Sequence, residues 1–220
     1  MSANNIPLKW QKTLNYDLDG EYKDKLVFTN DYPVPVLQEL DLLDKNTKLK
    51  MMEVGCQEGR TSFHLLEKYL LHPESKMYCL DLFEDGIPLE RNFDHNVGVL
   101  GYKDKIVKMR GPSWKTLRKL NNETDFESFD FIYIDGWHGA NGVIEDAVQC
   151  WKLLKVGGIL SFDDYYWCSH FKPQRTPKIA IDSFAYIFGP FLKKIDSSKV
   201  SFKKIISNDN EAQHLIDYYQ

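Results

Sequence analysis

Residues 129–164 constrain this chain more than any other stretch. They begin Phe129-Asp130-Phe131-Ile132-Tyr133-Ile134-Asp135-Gly136-Trp137-His138-Gly139 and end Gly157-Gly158-Ile159-Leu160-Ser161-Phe162-Asp163-Asp164. Both ends are short runs of aromatic and β-branched residues that finish on aspartate, and the segment between them is amphipathic. The pattern reads strand, helix, strand. A right-handed crossover makes the two strands parallel and sends both carboxyl ends to one edge of the sheet. Open α/β sheets bind ligands at that edge, so Asp135, His138, Asp163 and Asp164 are expected to converge in one cleft. Carboxylates crowded in this way ionise together only beside a counter-charge; without a metal, one should be protonated or turned to solvent.

The alternation extends in both directions. Residues 50–54 read as a strand, followed by a turn with Gly55 and Gly59 and a helix over 60–71. Residues 77–82 and 106–109 give two further strands, and Gly111-Pro112-Ser113 opens another helix, proline being tolerated in a first turn. After Asp135, Val143, Ala147, Val148, Trp151 and Leu154 repeat near the helical period, and Gly157-Gly158 is expected to end that helix. An aromatic loop (Tyr165, Tyr166, Trp167, His170, Phe171) leads to a helix over 178–188. Residues 200–206 form a late strand paired with 191–195. The sum is α/β: a single doubly wound, Rossmann-like domain over residues 47–220, mostly parallel, with an antiparallel C-terminal strand. Residues 1–46 form a polar N-terminal arm with a short helix near 36–43. That arm is read either as a lid over the site or as the contact of a homodimer.

Composition excludes several classes. A formal net charge of -4 and scattered lysines argue against a nucleic-acid partner. No apolar run is long enough to span a bilayer, so no membrane partner is expected. Cys56, Cys79, Cys150 and Cys168 show no C-x-x-C pairing, which suits reduced thiols and a cytoplasmic location better than disulfides or zinc.

Glu53-Val54-Gly55-Cys56-Gln57-Glu58-Gly59 follows a strand and opens a helix, as a nucleotide-binding turn does, yet the G-x-G-x-x-G fingerprint is absent. Glu53 and Glu58 are expected to repel a pyrophosphate and to attract a cationic cofactor. Asp81 ends the next strand, 22 residues after Gly59, where a carboxylate can accept both hydrogen bonds of a ribose diol.

Together the Glu53–Gly59 turn, Asp81, Gly111-x-Ser113 and Asp135-Gly136-Trp137-His138 resemble class I S-adenosylmethionine-dependent methyltransferases. Within that class the chain looks most like the metal-dependent catechol and macrocin (sugar) O-methyltransferases, over roughly residues 49–188. The resemblance implies that Glu53, Gly55 and Gly59 hold the methionine portion of the cofactor and Asp81 the ribose. Ser113 and Trp114 would flank the adenine, and Trp137, with Asp135, would lie against the cofactor. It assigns a divalent metal, Mg²⁺ or a similar ion, to Asp135, Asp163 and Asp164. The catechol type carries Asp-Asn at the adjacent pair, whereas this chain has Asp-Asp, as the sugar type does. His138 matches the sugar type's general base, with Asp135 as the other catalytic residue.

The implied chemistry is coherent. An aliphatic hydroxyl is too weak an acid to lose its proton unaided at neutral pH. A divalent ion eases that loss, oxygen-only ligands suit Mg²⁺, and an imidazole can take the proton. The expected acceptor is a hydroxyl of a small molecule or glycan. Two rivals are an NAD-dependent oxidoreductase, disfavoured by the missing glycine and by Glu58, and a non-catalytic cofactor-binding domain.

Overall fold

A computed structural model describes residues 23–29, 32–84, 88–121, 125–168, 170–196, 198–211 and 213–215. Its centre is a seven-stranded sheet of order β3-β2-β1-β4-β5-β7-β6. The strands are β1 (Lys50–Val54), β2 (Lys76–Asp81), β3 (Ile106–Arg110), β4 (Phe129–Ile134), β5 (Leu154–Phe162), β6 (Leu192–Ile195) and β7 (Val200–Lys204). The first five are parallel, while β7 runs antiparallel to both β5 and β6. The strand order reverses direction between β1 and β4, the place where doubly wound sheets open a ligand crevice.

The two-residue period of each strand sorts its side chains between two cores. Met52, Val54, Ile132, Ile134, Leu160 and Phe162 pack with α3 (Ser113–Leu120), α4 (Ala140–Leu153) and α5 (Pro177–Ile187). Met51, Cys79, Phe131, Tyr133 and Ile159 pack with α1 (Arg60–Lys68) and α2 (Leu89–Leu100). Leu26, Phe28, Leu37 and Leu40 join this second core, so the described part of the N-terminal segment is built into the domain. Of the arm, residues 1–22, 30 and 31 lie outside the described residues. The short helix expected near 36–43 is a 3-10 turn, Gln38–Leu42.

Two expectations need correction, and one helix was not expected. Gly157-Gly158 does not end α4, because β5 begins directly at Leu154 and runs through the glycines. The pair instead serves an irregularity where β5 shifts register against Phe129–Phe131. Gly157 has φ +84, and a Cβ at Gly158 would stand 3.0 Å from the carbonyl oxygens of Lys155 and Phe129. Val148 is 40% exposed and does not belong to the buried stripe, which Val143, Ala147, Cys150 and Trp151 complete. Helix α2 was not foreseen, because polar residues carry part of its buried face. Asn96 sits fully buried and exchanges two 2.8 Å hydrogen bonds with the backbone of Val27. Among the described residues, no helix is long and apolar enough to cross a membrane. All four cysteines are free thiols.

Candidate active site

Three adjacent strands end level with one another. The Asp135 amide donates to the Val54 carbonyl at 2.9 Å, and the Asp163 amide donates to Ile134 at 3.0 Å. The registers Val54↔Ile134 and Ile134↔Phe162 thus carry the acids after β4 and β5 to a common rim. At the same point the turn after β1 presses on β4. A Cβ on Gly55 would come within 2.1 Å of the Asp135 carbonyl oxygen, and Gly55 has φ +93, so only glycine fits.

The four polar residues expected to converge do so, in two groupings. Asp135, His138 and Asp164 offer ligand atoms within 4.8 Å of one another. His138 Nε2 lies 2.8 Å from Asp164 Oδ2, and the His138 ring stacks on Trp167 with centroids 4.6 Å apart and planes 28° apart. Asp164 holds φ +54, a left-handed conformation that aspartate tolerates better than most residues. Asp163 lies outside that triad but lines the same rim. Its carboxylate accepts from the Tyr133 hydroxyl and the Lys199 ammonium, and from the Asp164 amide at 2.7 Å.

These surroundings divide the charge. Burial, then the carboxylates of Asp163, Glu53 and Asp164, push the Asp135 carboxyl up to about 9. Burial also works against the Asp163 carboxylate, but Lys199 and Tyr133 outweigh it and hold its pKa below the ordinary value. Burial, with Asp135 and Asp163 nearby, keeps the Tyr133 phenol protonated. The crowding thus favours the protonated form of Asp135, while Lys199 pairs with Asp163.

Two cavities meet at this rim. One of about 520 Å³ is lined by Gly55, Asp81, Ser113, Trp114, Asp135 and Trp137, among others. Trp137 is 71% exposed, and its ring lies over Gly139 and Gly142, where a Cβ would stand 2.4 and 2.7 Å from it. The other, of about 480 Å³, is lined by Glu53, Gly55, Asp135, His138, Asp163, Asp164, Lys199 and, from the N-terminal segment, Tyr32, Pro33 and Pro35. Gly59 lines neither. It has φ +86 at the N-terminus of α1, where a Cβ would come within 2.3 Å of the Phe63 ring. Asp81 accepts from the amides of Gln57 and Phe83, both at 2.8 Å, and so also fixes the glycine turn.

Both acids of the β1 turn, Glu53 and Glu58, are buried and line the 480 Å³ cavity. At its wall, Glu58 Oε1 accepts from the Thr29 amide (2.8 Å) and the Asn92 side chain (3.3 Å). Glu53 is buried against the Ser62 hydroxyl, and desolvation pushes its carboxyl up to about 8. Burial therefore favours its protonated form.

A third cavity, of about 580 Å³, opens on the far side of the rim between the aromatic loop and α5. Tyr165, Tyr166 and Trp167 line it, whereas His170 and Phe171 do not. The sequence reading missed Tyr133 and Lys199. Tyr133 carried a usable signal, since it lies two residues before Asp135 on the same strand. Lys199 carried none, because only the antiparallel register Phe162↔Val200 puts it opposite Asp163.

Comparison with known proteins bears on the family and the fold. A family profile described as a methyltransferase domain matches residues 52–165. Caffeoyl-CoA O-methyltransferase 1 of Eucalyptus globulus is 29% identical over 128 residues, 56% of this chain and 46% of that protein. The match thus spans about half the length of the curated relative. Among solved structures, the O-methyltransferase from Bacillus cereus in complex with SAH superposes with a TM-score of 0.58 at 18% identity, covering 75% of this chain and 77% of that one. The O-methyltransferase TomG from Streptomyces achromogenes, solved in complex with SAM, gives 0.56 at 14% identity, covering 77% and 79%. These likenesses show the fold, and the profile, which takes in the β1 turn and both aspartate strand ends, shows the family. The chain belongs to the methyltransferase domain family, within the class I S-adenosylmethionine-dependent methyltransferases of the catechol and macrocin type.

Proposed function

We propose that the protein transfers a methyl group from S-adenosylmethionine to a hydroxyl of a small molecule or glycan, assisted by a divalent cation such as Mg²⁺. One observation carries this reading: Asp135, His138, Asp163 and Asp164 converge on the rim between the 520 Å³ and 480 Å³ cavities. The larger of these has the parts an adenosyl group needs. Asp81 keeps lone pairs for a ribose diol, Ser113 and Trp114 stand where the adenine would lie, and Trp137 offers a ring face beside the crevice. Glu53 and the Gly55 turn would receive the methionine end, and its ammonium would favour the ionised form of Glu53. Gly59 contributes by shaping the turn.

The donor set suits a hard cation. Asp135, Asp163 and Asp164 are oxygen ligands, and the charge missing around Asp135 is the charge a divalent ion brings. Such an ion would lower the pKa of an acceptor hydroxyl and stabilise the developing oxyanion. Donation of its Nε2–H to Asp164, with the ring stacked on Trp167, leaves His138 Nδ1 to take the hydroxyl proton as general base. The aromatic loop would face the acceptor, and Tyr32, Pro33 and Pro35 would cover the donor side as a lid.

The test is a methyl-transfer assay with labelled S-adenosylmethionine and a panel of sugar and catechol hydroxyls, using chelated enzyme to which Mg²⁺ is returned. Activity should depend on the returned ion, and His138→Ala should lower turnover roughly 10²–10⁴-fold with cofactor and metal affinity little changed. Full activity in chelator refutes the metal. Loss of metal binding in His138→Ala makes the imidazole a ligand and not the base.

A further inference from the structure

Lys199 belongs to no part of the chemistry above, yet it lies at the centre of the site. It precedes β7, and the antiparallel register Phe162↔Val200 sets it across from Asp163. Its ammonium is ion-paired with Asp163 Oδ1, and both side chains are largely covered, 24% and 19% exposed. It also lines two cavities at once, the 480 Å³ cavity that holds Asp135 and His138 and the 580 Å³ cavity that holds Asp182 and Asp196. The groups around it on the rim are Asp135, Asp163, Asp164, Glu53 and the Tyr133 hydroxyl.

We propose that Lys199 is the resident counter-ion of the metal seat. Its ammonium keeps Asp163 oriented while the seat is without an ion, and it must leave that carboxylate when a divalent cation engages it. This rests on the metal-assisted reading above. The physical ground is competition between two cations for one carboxylate. A divalent ion shared by Asp135, Asp163 and Asp164 and an ammonium bonded to Asp163 repel each other at close range in a poorly solvated rim. The neighbouring cavity offers the ammonium a second seat at Asp196, whereas Asp182, which also lines it with Lys194, is already paired with Lys178. Metal loading therefore swings the Lys199 side chain from the donor side of the rim toward the acceptor side. Lys199 is in this sense a positioning residue: it sets Asp163 in place without being a ligand itself.

The experiment is titration of the full chain with Mn²⁺, followed by the electron-spin signal of the free ion and by calorimetry. It compares wild type, Lys199→Met, Lys199→Arg and the double variant Asp163→Ala/Lys199→Met with Asp163→Ala. Lys199→Met should tighten Mn²⁺ binding by about tenfold or more, since a like charge at contact distance is removed. Lys199→Arg, which keeps the charge, should stay near wild type. The gain should vanish in the Asp163→Ala background. Damage to the fold would weaken binding, so tightening cannot come from damage. Unchanged or weaker binding in Lys199→Met, with wild type binding normally, overturns the role of Lys199 alone. Absence of Mn²⁺ binding in every protein overturns it together with the metal reading.

Discussion

Asp81 holds the glycine turn and, in the proposed function, would also hold the cofactor ribose. Its oxygens already accept from the Gln57 and Phe83 amides, and a carboxylate has lone pairs left for two ribose hydroxyls. Asp81→Ala should therefore lose both the ribose contact and the tie that holds the glycine turn. Cofactor affinity measured by calorimetry is expected to fall at least about fivefold, the scale of a lost hydrogen bond to a charged group, roughly 1–3 kcal/mol. Asp81→Asn keeps one carbonyl oxygen for the turn and should fall less. Equal affinity in Asp81→Ala and wild type would remove the ribose role. The place of Asp81 at the end of β2 was legible from sequence because the strand's pattern is local, whereas its bonds to Gln57 and Phe83 were not.

The turn between β1 and α1 and the end of β4 meet so closely that a side chain at residue 55 has no room. Gly55→Ala adds a methyl group against the Asp135 carbonyl and forces φ +93 on a residue with a Cβ. It should destabilise the domain by about 3 kcal/mol or more, read as a lower urea midpoint. Gly98 provides the contrast within α2. Nothing lies within 4 Å of a Cβ there, so Gly98→Ala should stabilise by about 0.5–1 kcal/mol. If both substitutions had the same effect, the close approach of turn and strand would not be what the fold needs at residue 55. The strands and α4 were legible because their apolar period is clean. Helix α2 was not, because buried Asn92 and Asn96 interrupt its stripe and find their partners in distant segments.

Taken as a whole, the molecule buries acids beneath its ligand edge, and this makes its stability depend on pH. Glu53 has an ordinary value of 4.5 and a folded value near 8. Between these the native state keeps a proton that the unfolded chain has lost, so stability falls as pH rises, by up to ~1.4 kcal/mol per pH unit for this group. Asp146, buried on α4 and pushed up to about 6 mainly by desolvation, adds to the fall at the acidic end. Glu53→Gln removes the first contribution only. Melting curves of the ligand-free protein from pH 5 to 8.5 should show a flatter decline in Glu53→Gln than in wild type, and parallel curves would show that Glu53 is ionised in the native state.

The sequence by itself determined the alternation of strands and helices, the two aspartate strand ends and their arrival at a shared rim. Those follow from local periodicity and from the handedness of a crossover, both of which act along a short stretch of chain. Only the tertiary structure decided that burial favours the protonated form of Glu53, that Glu58 is tied to Thr29 and Asn92, and that Lys199 lies against Asp163. Charge state and pairing at those positions depend on desolvation and on partners far away in the chain, as with Lys199 and Asp163, 36 residues apart. Such contacts exist only once β7 has paired with β5.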